Sequence, residues 1–477
     1  MLDFTFSDSF ETAGHWWLPE SPDKRVAGVL KYSPEGITLD LHGVLGIESF
    51  ARLGTMEAMG GQVQLLFGNT RDGLCTLFQL THDGGFDNFT GVQESAFNVG
   101  FFVFGCHISD ATATATSMSF DCSRLTEFVR AACFDVQEGR LQDGGLGDGH
   151  LLKTIRFVLP ETVEWAIASD QSTVSISSSG HQRGGRGSTK MSIEVSHQLN
   201  VLPQRPQPLL WYFRRIWRLC QLLALLTDGF VTPKRAAVKI AGDPQRYLLC
   251  YVPSRRGGDS GRPTSFCFFY LADLSGQLGT IIDAWLAASD ILAEAINLFS
   301  AGRSWTDSLE VRFQLLCQSL EAFSRATSSL QYMPNEDYES VKTTLIKSIP
   351  SVVSASHRTK LKSQITFGNE YSLRKRVENL LDSLQPETLN LICVSRSLFV
   401  KGVVNTRNYL THYTDELRAT ALRDADLYWA GEKIALLVRV VLLKHVGIPE
   451  ELICDRIRKY PPLAQCLLAA GNHREAL

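Results

Sequence analysis

The stretch LEVRFQLLCQSLEAFSRA, residues 309–326, carries a regular apolar stripe. The apolar residues fall at offsets of 0, 4, 7, 11 and 14, and they are Leu309, Phe313, Leu316, Leu320 and Phe323. This spacing is typical of one face of an α-helix. A second stripe of the same kind runs from Leu427 to Val441. The two stripes predict the core of a helical bundle.

Upstream of this region the apolar pattern alternates with a period of two. Short alternating runs are separated by Gly, Asp and Asn: GITLDLHGVLGI (36–47), QVQLLFG (62–68) and KMSIEVSHQLNV (190–201). Such runs predict an antiparallel sandwich or a barrel-like sheet. We therefore expect an α+β protein: a β-rich region over residues 1–300, which could hold two subdomains, and an all-α bundle over residues 301–477.

Residues 208–227 (PLLWYFRRIWRLCQLLALLT) interrupt the strand pattern with helical spacing, with three arginines grouped on the other side. This predicts an amphipathic helix packed on the sheet, in preference to a membrane-surface helix. RYLLCYV (246–252) and SFCFFYL (265–271) then predict a hairpin with a long polar tip. Two glycine-rich stretches, 143–149 and 180–188, match no phosphate-binding loop and are interpreted as loops or hairpin tips.

The composition is that of a globular protein. The 477 residues are 44% hydrophobic and 20% charged, with a net charge of -3. This excludes wholesale disorder. The charge is uneven, because residues 301–477 hold 23 Lys and Arg against 19 Asp and Glu, whereas residues 1–300 hold 24 against 31. Contact with phosphate is therefore favoured in the C-terminal part, although a mild excess also suits an ordinary solvated surface.

The cysteines and the first residues indicate a reducing compartment. The eleven cysteines form no C-x-x-C pair, so they are interpreted as small core residues and not as a disulfide framework or zinc site. Cys106-His107 is likewise interpreted as core or loop. The acidic start has no basic region of a signal peptide, and no apolar run is long enough to cross a membrane. We expect a cytoplasmic protein that does not associate with membranes, with no metal and no cofactor.

Two stretches combine an arginine with a histidine a few positions later: Arg407-Asn408…His412 and Arg439…His445. Chance alone supplies roughly two such matches in a chain of this composition. The second lies in an apolar helix, where the arginine is expected to snorkel and the histidine to sit near the negative helix end. The first has polar neighbours, which favours it as a site.

The geometry of the first pair leaves an alternative open. Five positions on an ideal helix place two side chains about 140° apart, so Arg407 and His412 converge only if the helix loosens near its end. The competing interpretation is a polar helix end, in which Arg407 forms a structural ion pair with Asp415 or Glu416.

A family resemblance bears on this choice. Residues ~305–415 resemble the C-terminal domain of the ApeA-like branch of the HEPN superfamily. The resemblance is carried by LEVRFQLLCQSLEAFSRA (309–326), FGNEYSLRKRVENLL (367–381) and TRNYLTHY (406–413), in the family's order. GHWWLPESPDKRVAGVLKYSPEGITLDLHG (14–43) is similar to the β-rich N-terminal domain of ApeA-type proteins.

This resemblance implies a metal-independent ribonuclease site, usually composite across a homodimer. Arg407 would bind phosphoryl oxygens, His412 would transfer protons and Asn408 would orient the phosphate or the histidine. Glu321 and Tyr413 are candidate supporting residues. Arg374, Lys375 and Arg376, with Arg358, Lys360 and Lys362, would track the RNA backbone, although a solvated basic helix face remains the alternative.

The implied biological role is antiphage defence by abortive infection. The substrate would be cellular RNA, with tRNA as one candidate, and the β-rich part would sense an unknown phage-derived trigger. Two other functions stay open at this point: a non-catalytic HEPN module that binds RNA or nucleotide or only dimerises, and a ligand receptor with a passive helical tail.

Overall fold

A computed structural model describes residues 4–45, 62–87, 93–109, 113–140, 151–184, 190–252, 266–303 and 308–463 of the protein. The chain divides into two compact units, Met1–Asp283 and Ala284–Leu477. Each unit is described by itself. Among the described residues, no helix combines the length and apolar content that crossing a bilayer would require.

The first unit is built mainly of antiparallel strands. Its described strands are β1 (Phe10–Trp17), β2 (Val26–Ser33), β3 (Gly36–Leu41), β4 (Gln62–Thr70), β5 (Gly73–Asp87), β6 (Gln93–Phe104), β7 (Thr114–Cys122), β8 (Phe134–Arg140), β9 (Leu151–Phe157), β10 (Val163–Ile167), β11 (Ser172–Arg183), β12 (Ser192–Pro203), β13 (Gln207–Pro208), β14 (Pro233–Ile240) and β15 (Arg246–Tyr251). The helices of this unit are α1 (Leu125–Val129), α2 (Leu209–Thr227) and the start of α3 (Leu278–Ala288).

Six of these strands close into a barrel, in the order β6-β3-β2-β1-β4-β5 with β5 pairing back to β6. Strand β6 also pairs with β15 along its C-terminal half, from Phe101 to Phe104. Through β15 the barrel continues into β14, β7, β12, β11 and β10. The sequence prediction of a β-rich, barrel-like N-terminal part is confirmed.

The barrel strands place alternate side chains in the core, which explains why these residues form strands. In β3 the residues Ile37, Leu39 and Leu41 are buried, and the residues between them are half-buried. Trp16 of β1 is fully buried opposite Gly68 of β4, where a Cβ would lie 2.2 Å from the indole ring. Only glycine at position 68 leaves room for this indole.

The helix predicted over residues 208–227 is confirmed as α2. It packs against β7 and β13, and the Tyr212 hydroxyl donates to the Ala115 carbonyl oxygen at 2.8 Å. The strand predicted over 265–271 is wrong. Phe268 and Phe269 are both fully buried, so side chains do not alternate, and a 3₁₀ helix follows at Leu271–Leu274. The strand β15 forms its hairpin with β14 instead.

The glycine-rich stretch 143–149 lies outside the described residues. In the second stretch, 180–188, strand β11 extends to Arg183, and residues 185–189 also lie outside the described part.

The second unit is helical, as the sequence predicted. After the end of α3, its described helices are α4 (Ala293–Arg303), α5 (Leu309–Thr327), α6 (Asn335–Lys347), α7 (Ala355–Thr366), α8 (Leu373–Asp382), α9 (Pro386–Ile392), α10 (Arg396–His412), α11 (Asp415–Arg418), α12 (Asp424–His445) and α13 (Glu450–Lys459). Helix α5 packs against α4, α8, α10 and α12. The helical unit therefore includes residues before the predicted boundary near residue 300.

The two apolar stripes of the sequence form the centre of this bundle. On α5 the stripe residues Phe313, Leu316, Leu320 and Phe323 are buried. On α12 the five residues of the second predicted stripe are also buried: Leu427, Ala430, Ile434, Leu437 and Val441. Ser308 caps α5, because its hydroxyl accepts a hydrogen bond from the Val311 amide.

Candidate functional site

Arg407, Asn408 and His412 all lie in the last turns of α10, which ends at His412. The next residue, Tyr413, adopts the left-handed conformation with φ of 53°, and its amide donates to the Tyr409 carbonyl oxygen at 2.7 Å. A left-handed residue at this position terminates an α-helix. His412 is therefore exposed at the helix end, where its ring is open to solvent.

Buried contacts on the opposite face hold this end of α10 in place. Thr406 is fully buried, and its hydroxyl accepts a hydrogen bond from the Leu422 amide at 2.9 Å. The side-chain amide of Gln314 on α5 donates to the Leu410 carbonyl oxygen at 2.7 Å. These contacts place Arg407 beside α5.

Arg407 faces a carboxylate on α5. Its Nη2 lies 3.7 Å from Oε2 of Glu321, and its Nη1 donates to Oδ1 of Asn408 at 3.5 Å. The Arg407 side chain is 32% exposed, so part of the guanidinium faces solvent. The ion-pair partner is therefore Glu321, and the alternative pairing with Asp415 or Glu416 is wrong.

The buried Cys317 on α5 lies within the electrostatic influence of both groups. Burial raises the pKa of the Cys317 thiol far above its ordinary value. The positive charge of Arg407 opposes this rise in pKa, and the negative charge of Glu321 adds to it.

Glu321 also starts a chain of charged contacts that leads away from Arg407. Its Oε1 lies 3.2 Å from Nη2 of Arg325, one helical turn later on α5. Arg325 in turn pairs with Glu370, and Glu370 lies 3.9 Å from Arg376. The pKa of the Arg325 guanidinium is raised by its hydrogen bond to Glu370.

The three predicted RNA-binding residues on α8 have different environments. Arg374 and Lys375 are exposed, and the Lys375 ammonium lies 5.9 Å from the Tyr371 ring centre. Arg376 is only 3% exposed, and its Nε donates to the Tyr371 carbonyl oxygen at 3.0 Å. Burial lowers the pKa of Arg376. The prediction that Arg376 tracks RNA is therefore wrong, because its guanidinium is engaged inside the unit.

Three residues to which the sequence assigned no role complete this region: Arg325, Asn369 and Glu370. Arg325 follows Glu321 at the i,i+4 spacing that pairs opposite charges on a helix, which is a signal readable from the sequence. Buried Asn369 accepts from the Met333 amide and donates to the Met333 carbonyl oxygen, at 3.0 and 2.9 Å. No sequence pattern predicted these hydrogen bonds between Asn369 and Met333.

Tyr413, a candidate supporting residue, is 67% exposed beside His412, and its ring lies 5.5 Å from that of Tyr409. The second Arg/His pair is arranged differently. Arg439 is buried over the Phe299 ring, so the prediction that it snorkels is wrong. A guanidinium in that position cannot reach a phosphate in solution.

Cys106 and His107 belong to the packing of the first unit. A hydrogen bond of 2.9 Å joins His107 Nε2 to the Gly68 carbonyl oxygen, and the imidazole stacks on Phe67. Burial raises the pKa of the Cys106 thiol to about 12. Across the described ranges, no group of three or more His, Cys, Asp and Glu side chains is arranged to hold a metal ion.

Comparison with protein-family models places this geometry in a family. Residues 11–285, more than half of the chain, match ApeA N-terminal domain 1, and residues 315–452 match the Apea-like HEPN model. The chain belongs to the ApeA-like HEPN proteins. No curated protein matches it significantly. The HEPN match spans α5 from Leu315 to the start of α13, so it includes Glu321 and the end of α10.

Membership of this family explains the two-part architecture. The β-rich first unit corresponds to the ApeA N-terminal domain, and the helical bundle corresponds to the HEPN module. HEPN modules typically act as ribonucleases or bind nucleotide in defence, and they commonly bind RNA and dimerise. The resemblance inferred from the sequence is confirmed for both parts of the chain.

Proposed function

We propose that this ApeA-like HEPN protein is a metal-independent endoribonuclease. The observation that carries the proposal is the arrangement at the end of α10, where Arg407 is held beside Glu321 and His412 is exposed within the matched HEPN region. A cation for phosphate and a proton-transfer group are the two requirements of RNA cleavage without metal.

The proposed reaction is an internal transesterification. The RNA 2′-oxygen attacks the adjacent phosphorus, the bond from phosphorus to the 5′-oxygen breaks, and the products are a 2′,3′-cyclic phosphate and a 5′-hydroxyl. His412 takes the proton from the 2′-hydroxyl or gives one to the departing 5′-oxygen. Arg407 offers its planar donor fork to the non-bridging oxygens as their negative charge grows. Asn408, hydrogen-bonded to Arg407, orients that fork.

We further propose that the working site is composite. Base and acid act on opposite sides of the phosphorus, so one imidazole cannot serve both positions in the same step. A second copy of the HEPN module would supply a second His412, because each is exposed at a helix end. A homodimer through the HEPN module would bring the two together.

The remaining roles are proposals of the same kind. Exposed Arg374 and Lys375 contact the RNA backbone, and Tyr413 supports a base or the ring of His412. The substrate is cellular RNA, with tRNA as one candidate. The N-terminal domain senses a phage-derived trigger and restrains the nuclease in the cytoplasm, in the manner of abortive infection.

A direct experiment tests the catalytic proposal. Wild-type and His412→Ala proteins are incubated with total RNA in the presence of EDTA, and the cleaved ends are mapped, with and without lysate of phage-infected cells as a source of trigger. Discrete cuts with cyclic-phosphate ends from the wild type alone support the proposal. Identical cuts from both proteins, or none from either under both conditions, contradict it and favour a non-catalytic RNA- or nucleotide-binding module.

A further inference from the structure

Helices α6 and α7 form a helical hairpin that is joined to the rest of the HEPN unit at its base. Residues Gln331 and Glu370 form an isolated β-bridge, and the Tyr332 amide donates to the Asn369 carbonyl oxygen at 2.9 Å. At the same end, the Tyr338 hydroxyl donates to the Ile365 carbonyl oxygen. The base is thus well fixed by hydrogen bonds.

The rest of the hairpin contributes little to a hydrophobic core. Helix α7 has no buried residue, and Tyr338 is the buried residue of α6. Burial of an apolar face normally stabilises a helix in a globular domain. Core packing therefore does not explain the presence or the composition of this element.

Beyond the first turns of α6, the hairpin carries charged side chains of one sign only. Residues 340–369 contain five Lys and Arg and no Asp or Glu, in a protein whose net charge is -3. The acidic residues of the hairpin are confined to the first turns of α6 near the base: Glu336, Asp337 and Glu339. Beyond these turns, the charged residues at the end of α6 and along the whole of α7 are all basic.

Three of the five cations are available for a partner. Lys342 pairs with Glu339, and Arg358 donates to the Pro350 carbonyl oxygen at 2.7 Å. The other cations, Lys347, Lys360 and Lys362, are exposed, and within residues 308–463 none of them forms an ion pair. Their ammonium groups project from the end of α6 and along α7.

We propose that the α6–α7 hairpin is an RNA-holding arm that binds the sugar-phosphate backbone outside the cleavage site. This inference rests on the proposed ribonuclease function and names a second contact region for its substrate. Thirteen helical residues extend about 20 Å, so the arm contacts nucleotides remote from the scissile phosphate. Point charges on flexible lysine stems suit backbone phosphates without selecting a base sequence.

The base of the arm is linked to the candidate site. Glu370 belongs to the β-bridge that closes the hairpin, and it pairs with Arg325. Arg325 pairs with Glu321, which also faces Arg407. RNA held along the arm is therefore positioned relative to Arg407 through fixed contacts of one unit.

The test measures RNA binding without cleavage. In a His412→Ala background, Lys347, Lys360 and Lys362 are all changed to Glu, and binding of labelled total tRNA is followed by fluorescence anisotropy across a salt series. The matched control changes exposed Lys24, Arg205 and Lys234 of the first unit to Glu, with the same change in net charge. A second variant carries Gln at the three lysine positions. It tests the same lysines if the Glu variant does not fold.

The arm variant should bind tRNA at least about tenfold more weakly than the His412→Ala parent. Its salt slope should fall by about two to three, since each lost phosphate contact removes ~0.7 on single strands and ~0.9 on a duplex. The control should stay within about twofold of the parent. Equal binding by the arm variant and the control, or no tRNA binding by the parent, overturns the inference.

Two further outcomes distinguish RNA binding by the arm from the proposed catalysis and from a role of the hairpin as a protein interface. If the wild type does not cleave RNA but binding still depends on the three lysines, the proposed catalysis fails and the arm is supported. If the arm variants change the oligomeric state in size-exclusion chromatography while tRNA binding is unchanged, the hairpin is a protein interface, and the inference is overturned. Exposed Val352 and Phe367 on the hairpin make this second outcome worth measuring.

Discussion

Glu321 and Arg407 lie on different helices, and Oε2 of Glu321 is 3.7 Å from Nη2 of Arg407. The other carboxylate oxygen of Glu321 is 3.2 Å from Arg325. Because both oxygens face cations, the carboxylate is held in one orientation. We therefore propose a positioning role of Glu321 for Arg407, with the α5–α10 contact as part of the proposed site.

Replacement of Glu321 should lower RNA cleavage without unfolding the protein. Both side chains of the pair are partly exposed, so the pair contributes no more than about 1 kcal/mol, and Glu321→Ala should slow cleavage about two- to fivefold. Glu321→Gln should lie between Glu321→Ala and the wild type, because the amide oxygen still accepts a hydrogen bond. Single-turnover cleavage rates test this, with Glu378→Gln on α8 as the control. An unchanged rate in Glu321→Ala would remove the positioning role.

Arg407→Lys should show whether cleavage needs only the positive charge of Arg407 or also its planar arrangement of donors. Lysine keeps the positive charge but loses the planar donor fork, so we expect cleavage to fall about 100-fold. Affinity for RNA, measured in a His412→Ala background, should stay within about twofold. Arg418→Lys on α11, an exposed position, serves as the control and should cleave normally. Full activity of Arg407→Lys would show that the fork is not used.

His412→Ala should abolish cleavage with little effect on folding. The ring is exposed at the end of α10, and substitutions at such positions change the free energy of unfolding by less than about 0.5 kcal/mol. Cleavage assays and urea denaturation measure the two effects separately. His181→Ala, at an exposed position of the first unit, should leave both unchanged. A large loss of stability in His412→Ala would indicate a structural histidine instead.

Phe313→Ala should strongly destabilise the helical unit. Phe313 is fully buried near the start of α5, and truncation of a buried phenylalanine costs about 3–5 kcal/mol. Val311→Ala, on the exposed side of the same helix, should cost less than about 0.5 kcal/mol. Urea denaturation followed by far-ultraviolet circular dichroism compares the two variants. Equal stability would contradict the assignment of the α5 stripe to the core.

His197 should make the first unit less stable in mild acid. It is buried on β12, its Nδ1 lies 2.9 Å from the Ser178 hydroxyl, and burial lowers its pKa from the ordinary 6.5. As pH falls below 6.5, the unfolded chain takes up the proton before the folded chain does. The contribution of the neutral ring to stability is therefore complete above that pH and declines below it.

His197→Gln should reduce this acid sensitivity. Thermal unfolding at about pH 7.5 and about pH 5.5 measures it, and the drop in stability between the two should be smaller in the variant than in the wild type. Exposed His181→Gln is the matched control and should behave like the wild type. If all three proteins lose the same stability, His197 is not responsible.

Local patterns in the sequence predicted many of the helices and strands of this protein. The stripe on α5, the amphipathic helix α2 and the alternating residues of β3 were readable because periodicity depends only on neighbours along the chain. The resemblance in three short stretches identified the HEPN module and directed attention to the end of α10. Residue type, spacing and this resemblance together thus named the candidates Arg407 and His412.

The tertiary structure decided which groups meet. Whether Arg407 pairs with Glu321 or with Asp415 depends on how α10 packs against α5, and no local pattern contains that information. Burial of Arg376 likewise depends on its neighbours from α5 and the hairpin base. Barrel closure between β5 and β6 is a further case, because alternation specifies the two faces of a strand but not its partners. Side-chain periodicity is a local property of the chain, whereas ion pairing, burial and strand order arise only when distant segments pack together.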